Sequence, residues 1–379
     1  MMEHVVWQTP VLIQMTSLHS RILLYQQRHR LTIPQIAELR EFSGIAIPQI
    51  SDRHRKLDTM AKMAELIRLS RLFKVNDLDF IPIKGPILSW RLHHDFTVRY
   101  TNDLDILVKK EELERILEVF RELGYQFHYS EIPAGKNHLK LIQKIRQHHS
   151  VYHPQKRFLV EIHWKLFVPE LPGKVSIEEI IKQNTVQITV HGETFNVFNK
   201  EFDIVFLIFH GAKHAWFRLK WLHDIYSYSL DNDVDWHRVI ELSENFGSAR
   251  LVYEALYLAD QYWIIPAGVA RLYQDNLLKR DAFALRYCIH SISETGVKPG
   301  LIAWLKYAYG LTRYGMTLFP TLRYKIALLR AWSYSDADMQ IIRLPDKLTF
   351  LYFMIRPFHV VYSKWRPYHL LYQKKDDPV

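Results

Sequence analysis

The stretch Arg99–Val108, RYTNDLDILV, sets Asp103 and Asp105 one residue apart and follows them at once with Ile106, Leu107 and Val108. The two halves make opposite demands. Ile-Leu-Val asks for burial, and an unpaired buried carboxylate is costly. Read as a strand, the conflict eases, because side chains alternate between faces. Leu104, Ile106 and Val108 then point into a core, and Asp103 and Asp105 share the other face. Two like charges that close repel, and one takes up a proton unless a cation neutralises the pair. Hard oxygen donors suit Mg2+ or Mn2+, which bind through carboxylates and substrate phosphates. Alone, the D-x-D spacing equally fits a solvated strand end, or an Asp103 that caps a turn.

The flanking sequence supplies partners. LVEIHW reads as a strand with Glu161 and His163 on one face and Val160, Ile162 and Trp164 on the other. If it pairs beside DLDILV, Glu161 joins the two aspartates, and three carboxylates can hold two metal ions for an in-line phosphoryl displacement. Upstream, IPIKGP reads as a short strand, Phe80 to Ile83, running into Gly85 and a helix that starts with Pro86. A glycine between strand and helix lets backbone N–H groups approach a phosphate, and Lys84 adds a charge beside them. An ordinary strand-to-helix turn reads the same way. There is no GxxxxGK[ST] and no GxGxxG, so neither a P-loop nor a dinucleotide site is expected.

Around this centre the chain changes character. TMAKMAELIRLSRLF places Met60, Met63, Leu66, Ile67, Leu69 and Phe73 on one broad apolar face of a helix. EELERILEVFRELG repeats the pattern with Leu113, Ile116, Leu117 and Phe120, and Gly124 stands where a C-terminal cap belongs. YQFHY, IRQHHSVYH and RFLVEIHWKLF read as strands, the last two joined by the turn PQK. TVQITVHGETFNVF reads as a hairpin around His191-Gly192. The expected organisation is a helical region over 1–75, a mixed α/β core with its hairpin over 76–198, and a helical region over 199–379 with breaks near Pro266, Pro299, Pro320 and Pro345.

Composition bounds the rest. A chain of 379 residues is long enough for two or three domains. The single cysteine, Cys288, excludes an internal disulfide and a cysteine-based zinc site. No basic-then-apolar leader and no apolar run of membrane-spanning length is read, so a cytoplasmic protein is expected. Net charge is +10, and residues 301–379 hold 12 Lys+Arg, 5 Asp+Glu and 16 of the 51 aromatics. That surface suits a phosphate-rich partner, or else lysine and arginine stems lying on aromatic packing.

Taken together, IPIKGPILSWRLHHDFTVRYTNDLDILV, then VEIHW, then HGAKHAWFRLKWLHDI resemble the uncharacterised nucleotidyltransferase family of the DNA-polymerase-β-like superfamily. The resemblance runs from about residue 57 to about residue 230. It implies an α+β fold: a minimal nucleotidyltransferase mixed sheet with flanking helices, followed by a mainly helical C-terminal region. It implies Asp103, Asp105 and Glu161 as catalytic metal ligands for Mg2+ or Mn2+, and an NTP as substrate. Gly85 would shape the phosphate turn with Lys84 beside it, and Arg99 would touch phosphate or nucleotide. The superfamily's usual Gly-Ser is replaced here by Lys84-Gly85-Pro86, so the serine's role does not carry over. Family members occur near operons for modified peptides and surface polysaccharides. The acceptor expected is therefore a peptide, sugar or small metabolite, with nucleic acid as an alternative given the charge.

His210, His214, Phe217, Trp221 and Asp224 fall at offsets that share one face if the helix is continuous. HGAKH has the i,i+4 spacing of a zinc helix but lacks the glutamate of HExxH. The block reads either as packing against the sheet or as a pocket wall, with Trp221 under a base and His214 or Asp224 near the acceptor. His163 is the stronger histidine, because it shares the carboxylate face. The basic run QKIRQHHSVYHPQKR fits a phosphate contact or a solvated hairpin edge. Two functions follow: a metal-dependent nucleotidyltransferase, or an inactive nucleotidyltransferase-like protein whose basic aromatic C-terminal region holds nucleic acid or another polyanion.

Overall fold

A computed structural model describes residues 17–47, 52–127, 137, 141, 143, 146–167, 177–277, 282–293, 301–334, 338–339 and 342–365. Its helices are α1 (Leu18–Gln27), α2 (Ile33–Ala37), α3 (Arg53–Val75), α4 (Gly85–His93), α5 (Leu113–Glu122), α6 (Ile177–Gln183), α7 (Lys200–Lys213) and α8 (Leu219–Ser229). They continue as α9 (Trp236–Asn245), α10 (Arg250–Asp260), α11 (Ala267–Asn276), α12 (Ala282–Ser293), α13 (Leu301–Leu318), α14 (Leu322–Trp332) and α15 (Tyr352–Trp365). The strands are β1 (Ile81–Pro82), β2 (Leu104–Leu107), β3 (Gln126–Phe127), β4 (His148–His153), β5 (Phe158–His163), β6 (Thr185–Val190) and β7 (Glu193–Phe198).

Five strands form one mixed sheet in the order β1-β2-β5-β4-β3, and β6-β7 is a separate hairpin. Only β2 and β5 run parallel; the other pairs are antiparallel. This is the α+β architecture expected. β1 is shorter than the Phe80–Ile83 strand read from sequence, and Pro82, which has no N–H to give, sits in it at the sheet edge. Residues beyond Phe127 in the YQFHY strand, and Pro299, lie outside the described residues.

The alternation read from DLDILV holds from Leu104 onward, while Asp103 lies in the bend just before β2 rather than on the strand. Leu104, Ile106 and Val108 are buried in a core with Leu66, Leu69 and Phe73 of α3, Ile116 and Phe120 of α5, and Val160 and Ile162 of β5. Leu107, on the opposite face, belongs to a second core that joins α1 and α2 to α7–α14. The sheet therefore stands between two cores, and the aspartate face looks toward the helical region. One expectation fails on α3. Met60, placed on the apolar face by periodicity, is 48% exposed. The inward positions of that turn belong to Thr59 and Lys62, because the Lys62 ammonium donates to the Thr101 carbonyl at 3.1 Å and fixes the chain just before Asp103.

Among the described residues no helix is long and apolar enough to cross a membrane. The C-terminal helices α13–α15 keep large apolar side chains in the open, Ile302 at 72% and Phe358 at 77% exposure among them.

His29 joins α1 to the start of α8. Its buried Nδ1 accepts the Leu219 N–H at 3.3 Å, and its carbonyl accepts Lys220 N–H at 3.2 Å. An accepting Nδ1 requires the neutral ring, and burial, with Arg28 adjacent, pushes the imidazole down to about 3. The folded state therefore binds fewer protons than the unfolded chain below pH 6.5. Stability from this group is full above that pH and is lost as the pH falls toward 3, by on the order of 4 kcal/mol. Chemical denaturation at pH 7 and pH 5 is expected to show a smaller loss in His29→Asn than in the parent. Equal losses in both would remove His29 from the acid response.

Candidate active site

β2 and β5 pair in parallel with Asp105 opposite Glu161 and Leu107 opposite His163. β4 runs antiparallel on the other side of β5, with His148 opposite His163. Directly opposed residues project to the same face, so one sheet face gathers Asp105, Glu161, His163 and His148. The cation that the aspartates demand is Lys84. Its Nζ lies 3.1 Å from Asp105 Oδ1. His163 Nε2 lies 3.1 Å from the same oxygen and 3.4 Å from Glu161 Oε2.

These groups set one another's charge. Burial alone raises the Asp105 carboxyl, but Lys84 and His163 outweigh it and hold it well below the usual carboxylate range. Burial opposes the Lys84 ammonium, and Asp105, Asp103 and Glu161 overcome that and raise it. Burial likewise disfavours charge on His163, while Asp105 and Glu161 raise it. The Asp105–Lys84–His163 group is thus a buried charged cluster rather than a solvated strand end.

The turn into α4 is built on Gly85, at φ +70, a left-handed conformation that side chains with a Cβ resist. Pro86 follows in the first helical turn. The 17 residues between Gly85 and Asp103 are α4 and a pinned loop. The Ser89 hydroxyl donates to the Asp95 carbonyl at 2.7 Å and accepts the Arg99 N–H at 3.0 Å. Arg91 of α4 pairs with Asp203 of α7 at 2.5 Å, and the Tyr228 hydroxyl of α8 donates to the same carboxylate. Those bonds fix the turn against the helical region.

Arg99 and Asp224 are paired with each other, and the Arg99 guanidinium also feels the Asp105 and Asp103 carboxylates. Arg99 Nε and Nη2 donate to the two Asp224 oxygens at 2.7 and 2.9 Å, and the residues are 2% and 0% exposed. They satisfy each other, so in this structure neither the expected phosphate contact of Arg99 nor the expected acceptor contact of Asp224 is open.

The histidine block does not lie on one continuous helix. α7 ends at Lys213 and α8 begins at Leu219, with Ala215 and Trp216 both at positive φ between them. The chain nevertheless doubles back so that Trp221 meets both histidines. Its ring stacks on His214 with centroids 5.3 Å apart and 28° between planes, and stands edge-on to His210 at 5.3 Å. Burial pushes His214 down to about 3, with Lys213 adding to it. Burial and Lys84 hold His210 well below its ordinary value. Both rings are neutral at pH 7, and His210 feels the charge of Lys84 and Asp105 directly.

Three residues of this region carry no assignment from sequence. His148 lies within the basic run, and its Nε2 is 3.7 Å from Glu161 Oε1. Strand register, invisible before pairing is known, selects it over His149. Arg218 feels the Asp103 carboxylate. Lys220 is 7% exposed, and burial, with Arg99 nearby, pushes its ammonium down to about 7. Its signal was a lysine set among Leu219, Trp221 and Leu222.

A family model described as an uncharacterised nucleotidyltransferase matches residues 50–263, more than half of the chain, from just ahead of α3 through α10. No curated protein matches the chain.

Proposed function

We propose, for a chain that belongs to the uncharacterised nucleotidyltransferase family, that it moves a nucleoside monophosphate from an NTP to a hydroxyl or phosphate group of an acceptor. The observation that carries this reading is the parallel β2–β5 pairing, which sets Asp105 opposite Glu161 with Lys84 as resident countercharge. A bond forms between the acceptor oxygen and the α-phosphorus. The bond from that phosphorus to the bridging oxygen breaks, and pyrophosphate leaves with the electron pair.

The donor set fits a hard divalent ion. Asp103, Asp105 and Glu161 all act on the Lys84 ammonium, three carboxylates around one lysine. Asp103, Asp105 and Glu161 would hold Mg2+ or Mn2+, which when bound neutralises charge on the triphosphate. The chain's own residues do the remainder. Lys84 and the free backbone N–H groups in the first turn of α4, where Pro86 has none to give, bind phosphate oxygens, and Arg218 adds positive charge on the Asp103 side. Glu161 either completes that metal site or takes the acceptor's proton. Trp221, with His210 and His214 packed on it, walls the space that receives a base or the acceptor. Family context favours a peptide, sugar or small-metabolite acceptor over nucleic acid.

The test is a binding titration of ATP, GTP, CTP and UTP, with and without Mg2+, on the parent and on Asp103→Asn/Asp105→Asn. One nucleotide is expected to bind only with Mg2+ and only to the parent. Metal-independent binding, or equal binding by the double variant, would remove the aspartates from the site and return DLDILV to a structural strand.

A further inference from the structure

We infer that His148, Glu161 and His163 form a binding site for a divalent transition-metal ion, distinct in donor chemistry from the all-oxygen aspartate pair beside it. The inference takes its functional meaning from the transferase reading, since the two share Glu161, but the site's existence does not depend on it.

The geometry comes from sheet register. Glu161 and His163 are two apart on β5 and share a face. His148 is directly opposite His163 on β4. One donor atom from each of the three lies within 4.8 Å of the other two. His163 Nε2 is 3.4 Å from Glu161 Oε2, and His148 Nε2 is 3.7 Å from Glu161 Oε1. Donors about 2.1 Å from a common ion at tetrahedral angles stand about 3.4 Å apart, so ligation draws the three donors together from within 4.8 Å by about an ångström. Asp105 Oδ1, 3.1 Å from His163 Nε2, is the next donor in line.

The charge balance points the same way. Asp103, Asp105 and Glu161 face Lys84, which already sits on Asp105. Among the described residues the ion pairs of Glu161 are with the two imidazoles, at 3.4 and 3.7 Å, both longer than ordinary hydrogen bonds. Two imidazoles with a carboxylate select against Mg2+, which prefers oxygen, and favour Mn2+, Co2+ or Zn2+ in order of rising affinity along the transition series. His148 is partly exposed, with 31% of its side chain open, which gives the ion a route in.

Co2+ is the probe, because its visible absorption reports nitrogen ligation without any turnover. The metal-stripped full chain, with no nucleotide present, is titrated with Co2+. A saturable band is expected that survives roughly a hundredfold excess of Mg2+. His148→Ala and His148→Gln are expected to weaken Co2+ binding by about tenfold or more, with thermal unfolding checked to show that each folds. Asp103→Asn is expected to leave the Co2+ affinity within a few-fold while abolishing Mg2+-dependent NTP binding. Loss of the NTP result with the Co2+ band retained overturns the transferase reading and leaves the metal site standing. Displacement by Mg2+, or a band unchanged in both His148 variants, overturns the metal site whatever the NTP result.

Discussion

Asp224→Ala is expected to lower the stability of the fold by about 3–5 kcal/mol, the cost of leaving a buried charge without its partner. Arg99 is almost fully enclosed, and its two bonds to the Asp224 oxygens, 2.7 and 2.9 Å, form one bidentate contact. Arginine cannot shed its proton to escape the low dielectric, so the guanidinium must draw in water or swing out. Either movement drags the loop that ends at Asp103, because the Arg99 N–H is itself bonded to Ser89. Urea unfolding of the purified variant reads the loss. Arg99→Met/Asp224→Leu, which removes both charges and keeps the volume, is expected to recover most of it. A loss under about 1 kcal/mol in Asp224→Ala would mean that the pair is as weak as a surface salt bridge and that the buried geometry is wrong.

Gly211→Ala is the second large effect. Gly211 lies on α7, and a methyl group there would overlap the six-membered ring of Trp216, which is 1% exposed. The Trp216 ring has little freedom to retreat. Its backbone is held at φ +54, and its N–H donates to the Gly211 carbonyl at 3.0 Å. Overpacking of this kind costs about 3 kcal/mol or more when neither side yields. The lesion should also be felt at the histidine cluster, since Trp216 sits in the turn that folds Trp221 back onto His210 and His214. Gly211→Ala/Trp216→Leu separates the two effects: it is expected to regain more stability than Trp216→Leu and Gly211→Ala predict by addition. Simple additivity of the two single losses would show that the ring and the glycine are not in contact.

The basic, aromatic C-terminal helices are not absorbed by either core function. Their exposed apolar side chains lie far along the chain from the matched family region, which ends at residue 263. The steep salt dependence of binding that phosphate contacts produce distinguishes a polyanion partner there from an uncharged one.

Several things were fixed by residue order alone. Period-2 alternation in DLDILV and LVEIHW assigned the core and carboxylate faces, because strand geometry leaves no other arrangement. The family pattern was equally local, a set of short words in the right order. The helix of residues 53–75 was legible too, apart from Met60, whose inward place went to Lys62 once a carbonyl was there to receive it. What lay beyond the sequence was pairing. That β5 rather than β1 or β3 runs parallel to β2, and that β4 sets His148 rather than His149 against His163, depends on contacts between segments distant in the chain. So does the fate of Arg99 and Asp224, 125 residues apart, which read as ligand contacts until burial made them partners of each other. Charge type is written in the sequence. Whether a charge meets substrate, metal or another side chain is decided by which segments exclude water from it, and only tertiary structure does that.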